Sequence, residues 1–97
     1  MNWDVLQQQV RDYDSKFGWD KDKPAQTTLH AVEELGEAAR NVLYDEGYKK
    51  RKFDKNELAE EIVDTLYLLI KLANHYCIDL SREWYRIPSR YNTKSRE

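Results

Sequence analysis

The sequence predicts an all-α protein: an antiparallel bundle of three main helices with a short fourth at the C-terminal end. Three observations carry that expectation. Apolar residues recur three and four positions apart, and no stretch alternates with the period of two that a strand needs. Only three glycines and two prolines punctuate the chain, and apart from Gly36 they fall between the periodic segments. The length of 97 residues, 40% of them hydrophobic and 35% charged, suits one helical domain over residues 1–97.

The elements follow in order. Trp3, Leu6, Val10, Tyr13 and Phe17 form one stripe of a helix over residues 2–17, with Asn2 as its cap and Gly18 as its stop. Residues 19–23 read as a loop. Pro24 suits the first turn of a second helix over 24–45, where its missing N–H costs nothing. The apolar stripe of that helix is Leu29, Val32, Gly36, Ala39 and Leu43. Gly36 inside a helix costs about 1 kcal/mol relative to Ala, which a close helix–helix approach would explain. Gly47 ends the helix, and Tyr48 to Phe53 form a short basic loop. Asp54, with Glu57 three residues on, has the pattern of a capping box opening a third helix over 54–77. Its apolar face is Leu58, Ile62, Leu66 and Leu69. Asp79 caps a fourth helix over 79–86 that Pro88 stops, and residues 89–97 read as a polar tail.

Composition excludes several classes. The net charge of −2, from 16 basic and 18 acidic residues, gives no basic excess of the kind that marks nucleic-acid binding. No apolar run approaches a membrane span, and the N-terminus has no basic-then-apolar signal, so the cytoplasm is the expected compartment. Cys77 is the single cysteine, which rules out an internal disulfide, and it reads as a small buried filler. A domain of this size gains from self-association, since small chains bury little surface alone.

The acids are unusually placed. Asp64 sits in the otherwise apolar run Ile62 to Ile70, where an unpaired charge is costly. On the second helix, His30, Glu33, Glu34 and Glu37 gather opposite the Leu29–Leu43 stripe. On the third, Glu57, Glu61 and Asp64 share a stripe. Glu33–Glu37, Glu34–Glu37, Glu57–Glu61, Glu60–Asp64 and Glu61–Asp64 all put like charges one turn apart, at about 0.2–0.5 kcal/mol each. A solvated face with surface ion pairs, such as Glu37 with Arg40, is the plain alternative. A bound cation instead turns the repulsion into coordination. All-oxygen ligands suit Mg²⁺, with Mn²⁺ as a substitute, and Mg²⁺ commonly takes substrate phosphates as further ligands. Lys49 and Lys50, in the basic loop between the acidic helices, are candidates to meet such phosphates or simply keep the loop solvated.

Glu33-Glu34-Leu35-Gly36-Glu37, followed after a spacer by Glu61-Ile62-Val63-Asp64, resembles the EExxE…ExxD signature of MazG-type nucleotide pyrophosphohydrolases of the all-α NTP pyrophosphatase superfamily. The resemblance spans residues 24–80. It implies Mg²⁺-dependent conversion of a nucleoside triphosphate to a monophosphate and pyrophosphate. It implies Glu34, Glu37, Glu61 and Asp64 as metal ligands, with Glu33 or a neighbouring acid helping to orient or deprotonate the attacking water. It also implies a homodimer, or a dimer of dimers, with the site near the subunit interface. Trp19 and His30 become candidates for contact with the nucleoside; ordinary packing for Trp19 and a supporting role for His30 are the alternatives. After the third helix, many members carry a basic, Asn- and Tyr-containing segment that closes over phosphates. Here Arg90-Tyr91 matches its end, Ile87 stands where the Asn would lie, and Pro88 interrupts the helix. Arg86 and Arg90 are the phosphate candidates of this region. Two other readings fit the same residues: a phosphoribosyl-ATP pyrophosphohydrolase-like enzyme, and a non-catalytic helical module for dimerisation or partner binding.

Overall fold

The computed structural model describes residues 2–48 and 50–93. It is all-helical, with no strand among those residues: α1 spans Trp3–Phe17, α2 Pro24–Asp45, α3 Lys55–His75, α4 Leu80–Tyr85 and α5 Ile87–Thr93. A 3-10 turn over Trp19–Lys21 joins α1 to α2.

Local chemistry sets the boundaries. The Asn2 side chain accepts from the Val5 N–H at 3.0 Å and opens α1. Gly18, at φ 75°, takes the left-handed conformation that ends it. Asp54 Oδ1 accepts from the Asn56 and Glu57 N–H groups and opens α3. The capping box expected here is only half formed. The Asp54 N–H donates to the Asn41 side chain at 3.0 Å instead of to Glu57, and the Asn41 amide returns a bond to the Asp54 carbonyl at 2.6 Å. The Glu57 half of the predicted capping box is thus replaced by a tie between α2 and α3.

The C-terminal end differs from expectation. Pro88 does not terminate helical structure; it lies in the first turn of α5, where a helix does not use the N–H that proline lacks. Residues 87–93 are therefore helical rather than tail, and residues 94–97 lie outside the described part. Cys77 is not buried: it is exposed, at φ 56°, in the turn that closes α3. The Ile78 N–H bonds to the Ala73 carbonyl and the Cys77 N–H to that of Asn74, a Schellman closure that uses a left-handed residue.

α2 and α3 form the most extensive helix pair, and α1 packs along another side of α3. The pair runs antiparallel. Asn41 near the end of α2 meets Asp54 at the start of α3, while Thr27 near the start of α2 shares a cavity wall with Lys71 late in α3. A polar clamp holds α1: Gln7, 4% exposed, donates to the Asn74 side chain and the Ile78 carbonyl and accepts from the Leu80 N–H. Each group on the Gln7 carboxamide has a partner, which is what burial of a polar side chain requires.

The apolar stripes face the other way from the expectation. On α2 the buried residues are Thr27, Ala31, Ala38 and Asn41, while Leu29, Val32 and Leu35 are about 60% exposed. The predicted close approach at Gly36 is absent among the described residues: a methyl group there would meet nothing within 4 Å. Ile62, Leu66 and Leu69 of α3 are likewise roughly half exposed, and Tyr13 and Phe17 of α1 also reach solvent. The cause is geometric. α3 has α1 on one side and α2 on another, and among the described residues its third side is only partly covered, by Trp3, Trp84 and Ile87 beside Leu66 and Leu69. The radius of gyration is 16.2 Å, against about 12.5 Å for a compact chain of this length.

Candidate active site

The α2–α3 seam gathers the predicted acids. Antiparallel packing sets Glu37 opposite Glu61, and Glu34 beside Asp64 on the wall of a cavity of about 460 Å³. Trp19, Asp22, His30, Tyr67, Leu68 and Lys71 complete that wall.

Glu61 stands in surroundings that disfavour its charge. Its Oε1 is withdrawn from solvent and has no hydrogen-bond partner. Burial raises its pKa above the ordinary carboxylate value. The charges of Glu37, Glu57 and Glu34 push in the same direction, and the neighbouring Asn41 carboxamide pulls the other way. Four acids from two helices therefore share one electrostatic field. Asp64, by contrast, is exposed: the stretch that looked like core in the sequence is largely the uncovered side of α3. The misplaced charge of this fold is Glu61.

The remaining candidates separate clearly. His30 Nε2 lies 3.3 Å from Glu34 Oε1, one turn along α2, with the Glu34 side chain only 18% exposed. His30 is thus placed to orient an acid. Trp19 stands edge-on to Tyr67, with ring centroids 6.3 Å apart, and packs on Phe17 at 4.8 Å. Glu33 is exposed, neither lining the cavity nor among the charges that act on Glu61. Lys50 is exposed in the connector and lines no part of the cavity, and Lys49 lies outside the described residues. Arg86 pairs with Glu83 at 3.1 Å. Arg90 borders a separate apolar groove with Trp3, Leu66, Leu69 and Trp84.

Three residues at the cavity escaped sequence reasoning. Lys71 Nζ meets Asp22 Oδ2 at 2.6 Å, and Tyr67 donates to Asp14 Oδ1 at 2.7 Å. Burial, and then that bond to Asp14, push the Tyr67 hydroxyl pKa well above its usual value. A signal for Lys71 was present: it lies two turns beyond Asp64 on the same stripe. Tyr67 and Asp22 had none, because their roles depend on how the α1–α2 connector folds over α3.

The carboxylates oppose one another without closing a ligand shell: among the described residues no three His, Cys, Asp or Glu side chains converge into a metal-holding group. The fit to a cation rests on the unpartnered Glu61 oxygen and on the uncompensated like charges around it. Hard oxygen donors alone, with one oxygen lacking any donor, match the chemistry of a small divalent ion.

The geometry defines a class: an all-α domain whose central antiparallel helix pair presents acids to a cavity walled by aromatic side chains. No family-level sequence profile matches the chain. It is 34% identical over 94 residues to the Bacillus subtilis (strain 168) "Uncharacterized protein YpjD", covering 95% of this chain and 85% of that one. A crystal structure described as the "putative pyrophosphatase YPJD from Bacillus subtilis" superposes with a TM-score of 0.83 at 33% identity, over 96% of this chain and 97% of that chain. The chain belongs to the YpjD family. No helix among the described residues is long and apolar enough to cross a membrane.

Proposed function

We propose that this protein is a Mg²⁺-dependent nucleotide pyrophosphohydrolase of the MazG type, which cleaves a nucleoside triphosphate to a monophosphate and pyrophosphate. The observation that carries the reading is the unpartnered, acid-surrounded Glu61 on a seam that also holds Glu34, Glu37 and Asp64. Similarity to the "putative pyrophosphatase YPJD" supports the same reaction class.

Glu34, Glu37, Glu61 and Asp64 would hold the cation. Bound there, it would polarise the phosphate under attack and offset charge on the departing pyrophosphate. The side chains around it position the reactants. His30 fixes the Glu34 carboxylate, which would otherwise swing with its helix-surface freedom. Trp19 and Tyr67 offer a perpendicular pair of rings against which a planar base can rest.

The working unit we propose is a homodimer. The chain exposes 7970 Å², against about 5,900 Å² for a compact monomer of its mass. The difference is the scale of one subunit's share of a large obligate interface. The bare stripes of α2 and α3 would supply its core.

Incubation of the pure protein with a nucleotide panel and Mg²⁺, with pyrophosphate and monophosphate quantified, tests the reading. The expected result is stoichiometric release of both, lost in Glu61→Gln and Asp64→Asn. Wild-type rates in those variants, or no release from any nucleotide, would sink it.

A further inference from the structure

Lys71 and Asp22 form an ion pair on the wall of the cavity. The Lys71 side chain is 9% exposed and that of Asp22 48%. Both residues also border a second cavity of about 310 Å³, lined by Arg11 and His75 among others. The two cavities have no other residue in common, so this pair is the partition between them. A lysine has three donors, and among the described residues Asp22 is its one side-chain partner.

The position of the pair along the site narrows its role. Lys71 lies seven residues beyond Asp64, about 10.5 Å along the helix axis. The crossed rings of Trp19 and Tyr67 share the wall with it. With phosphates at the carboxylate end, the part of a substrate that reaches Lys71 is the part farthest from them. An aromatic wall ending in one cationic donor and one carboxylate acceptor matches the hydrogen-bonding edge of a nucleobase, where an acceptor sits beside an N–H donor.

We infer that Lys71 and Asp22 read the nucleobase edge of the substrate, Lys71 donating to a carbonyl oxygen or ring nitrogen and Asp22 accepting from the adjacent N–H. The inference rests on the nucleotide reading above. Discrimination follows from the pairing itself. A base with the matching edge replaces the ion-pair contacts it displaces. A base with the wrong edge leaves a buried ammonium unpaired, which is the strong form of rejection.

The test compares kcat/KM across adenine, guanine, cytosine, uracil and thymine triphosphates for wild type, Lys71→Met and Asp22→Asn, with ribose 5-triphosphate as a substrate that has no base. The expected result is that the spread between best and worst base shrinks by about tenfold or more in both variants, with the loss confined to base-bearing substrates. An unchanged spread overturns the inference, and so does an equal loss on ribose 5-triphosphate, which would assign Lys71 to phosphate. Calorimetric binding of the five nucleoside monophosphates gives a readout without turnover: wild type must bind them with base-dependent affinity, and Lys71→Met must level those affinities. Failure of wild type to hydrolyse any triphosphate counts against the nucleotide reading itself, whereas active wild type with unchanged preference in the variants counts against this inference alone. Asp22→Asn keeps the shape of the connector, so it serves if Lys71→Met does not fold.

Discussion

The two long faces of α2 are built from opposite materials. The inner face, against α3, is Thr27, Ala31, Glu34, Ala38 and Asn41: small or polar side chains. The outer face is Leu29, Val32, Leu35, Gly36 and Leu43, and it reaches solvent. The inner face contributes little apolar burial and holds the acids at a fixed height. The outer face has the hydrophobic capacity and, among the described residues, no partner that covers it. Under the proposed reading the difference separates two tasks on one helix: the interior of the fold would shape chemistry, and the apolar surface would serve assembly. Contiguous exposed apolar patches mark association sites in soluble proteins.

The outer face is where a single change should have the largest effect. Val32→Asp places a charge at the centre of the stripe, and a symmetric dimer meets it twice. Each apolar side chain of this size contributes about 1.5–3 kcal/mol when fully buried. The variant is expected to sediment as a monomer at concentrations where wild type is a dimer, with a lower melting temperature and reduced activity. Unchanged sedimentation would mean that this stripe is not the interface.

On the inner face, Asn41→Ala should cost less. It removes both bonds to the Asp54 backbone and leaves that N–H and carbonyl without their α2 partner. A loss of roughly 2–3 kcal/mol is expected from a buried, doubly bonded amide. Urea denaturation is the measurement, and an effect below about 0.5 kcal/mol would show that water replaces Asn41 without penalty.

Glu61 links the inner face to pH. Its folded pKa lies above the ordinary value of 4.5, so the folded state holds a proton more tightly than the unfolded chain does. Stability contributed by that proton is present below pH 4.5 and is lost as pH rises through the folded value. Without divalent metal, Glu61→Gln is therefore expected to melt higher than wild type at pH 7–8, with the advantage vanishing near pH 4. Adding Mg²⁺ should reverse the order at neutral pH, because a ligand bound only to the folded state stabilises it. A variant that melts below wild type at pH 8 in chelator would show that the strain on Glu61 is relieved in some other way.

Helix placement was legible in the sequence because it is a local property. Asn2, Gly18, Pro24 and Asp54 each act on backbone groups within a few residues. The acidic pairing was legible for a similar reason: one antiparallel connection fixes Glu37 against Glu61 and Glu34 beside Asp64. Burial was not legible. A helical wheel shows that Leu29 and Leu43 share a face, but it does not say whether that face meets this chain or another. The same ambiguity made Asp64 look like the buried acid when it is Glu61 that has an oxygen withdrawn from solvent, and made Cys77 look like core. Pro88 misled because its two helical roles, stop and first-turn residue, carry the same local signature. Lys71, Asp22 and Tyr67 depend on the fold of a short connector over α3, which no periodicity encodes.

Gly36 gives the finest probe of the two faces, and the sign of its effect carries the information. In the single chain an added methyl meets nothing within 4 Å, and the residue lies mid-helix. Gly36→Ala should then stabilise α2 by about 1 kcal/mol through reduced backbone entropy of the unfolded state. That gain is expected at protein concentrations low enough to populate the monomer, read as a shift in the urea midpoint without a change in slope. The comparison at high concentration decides how the outer face is covered. A partner helix that rests on Leu29, Val32 and Leu43 but bridges over Gly36 leaves the gain intact. A helix that crosses at Gly36 meets the new methyl, and the gain turns into a loss that grows as dimer forms.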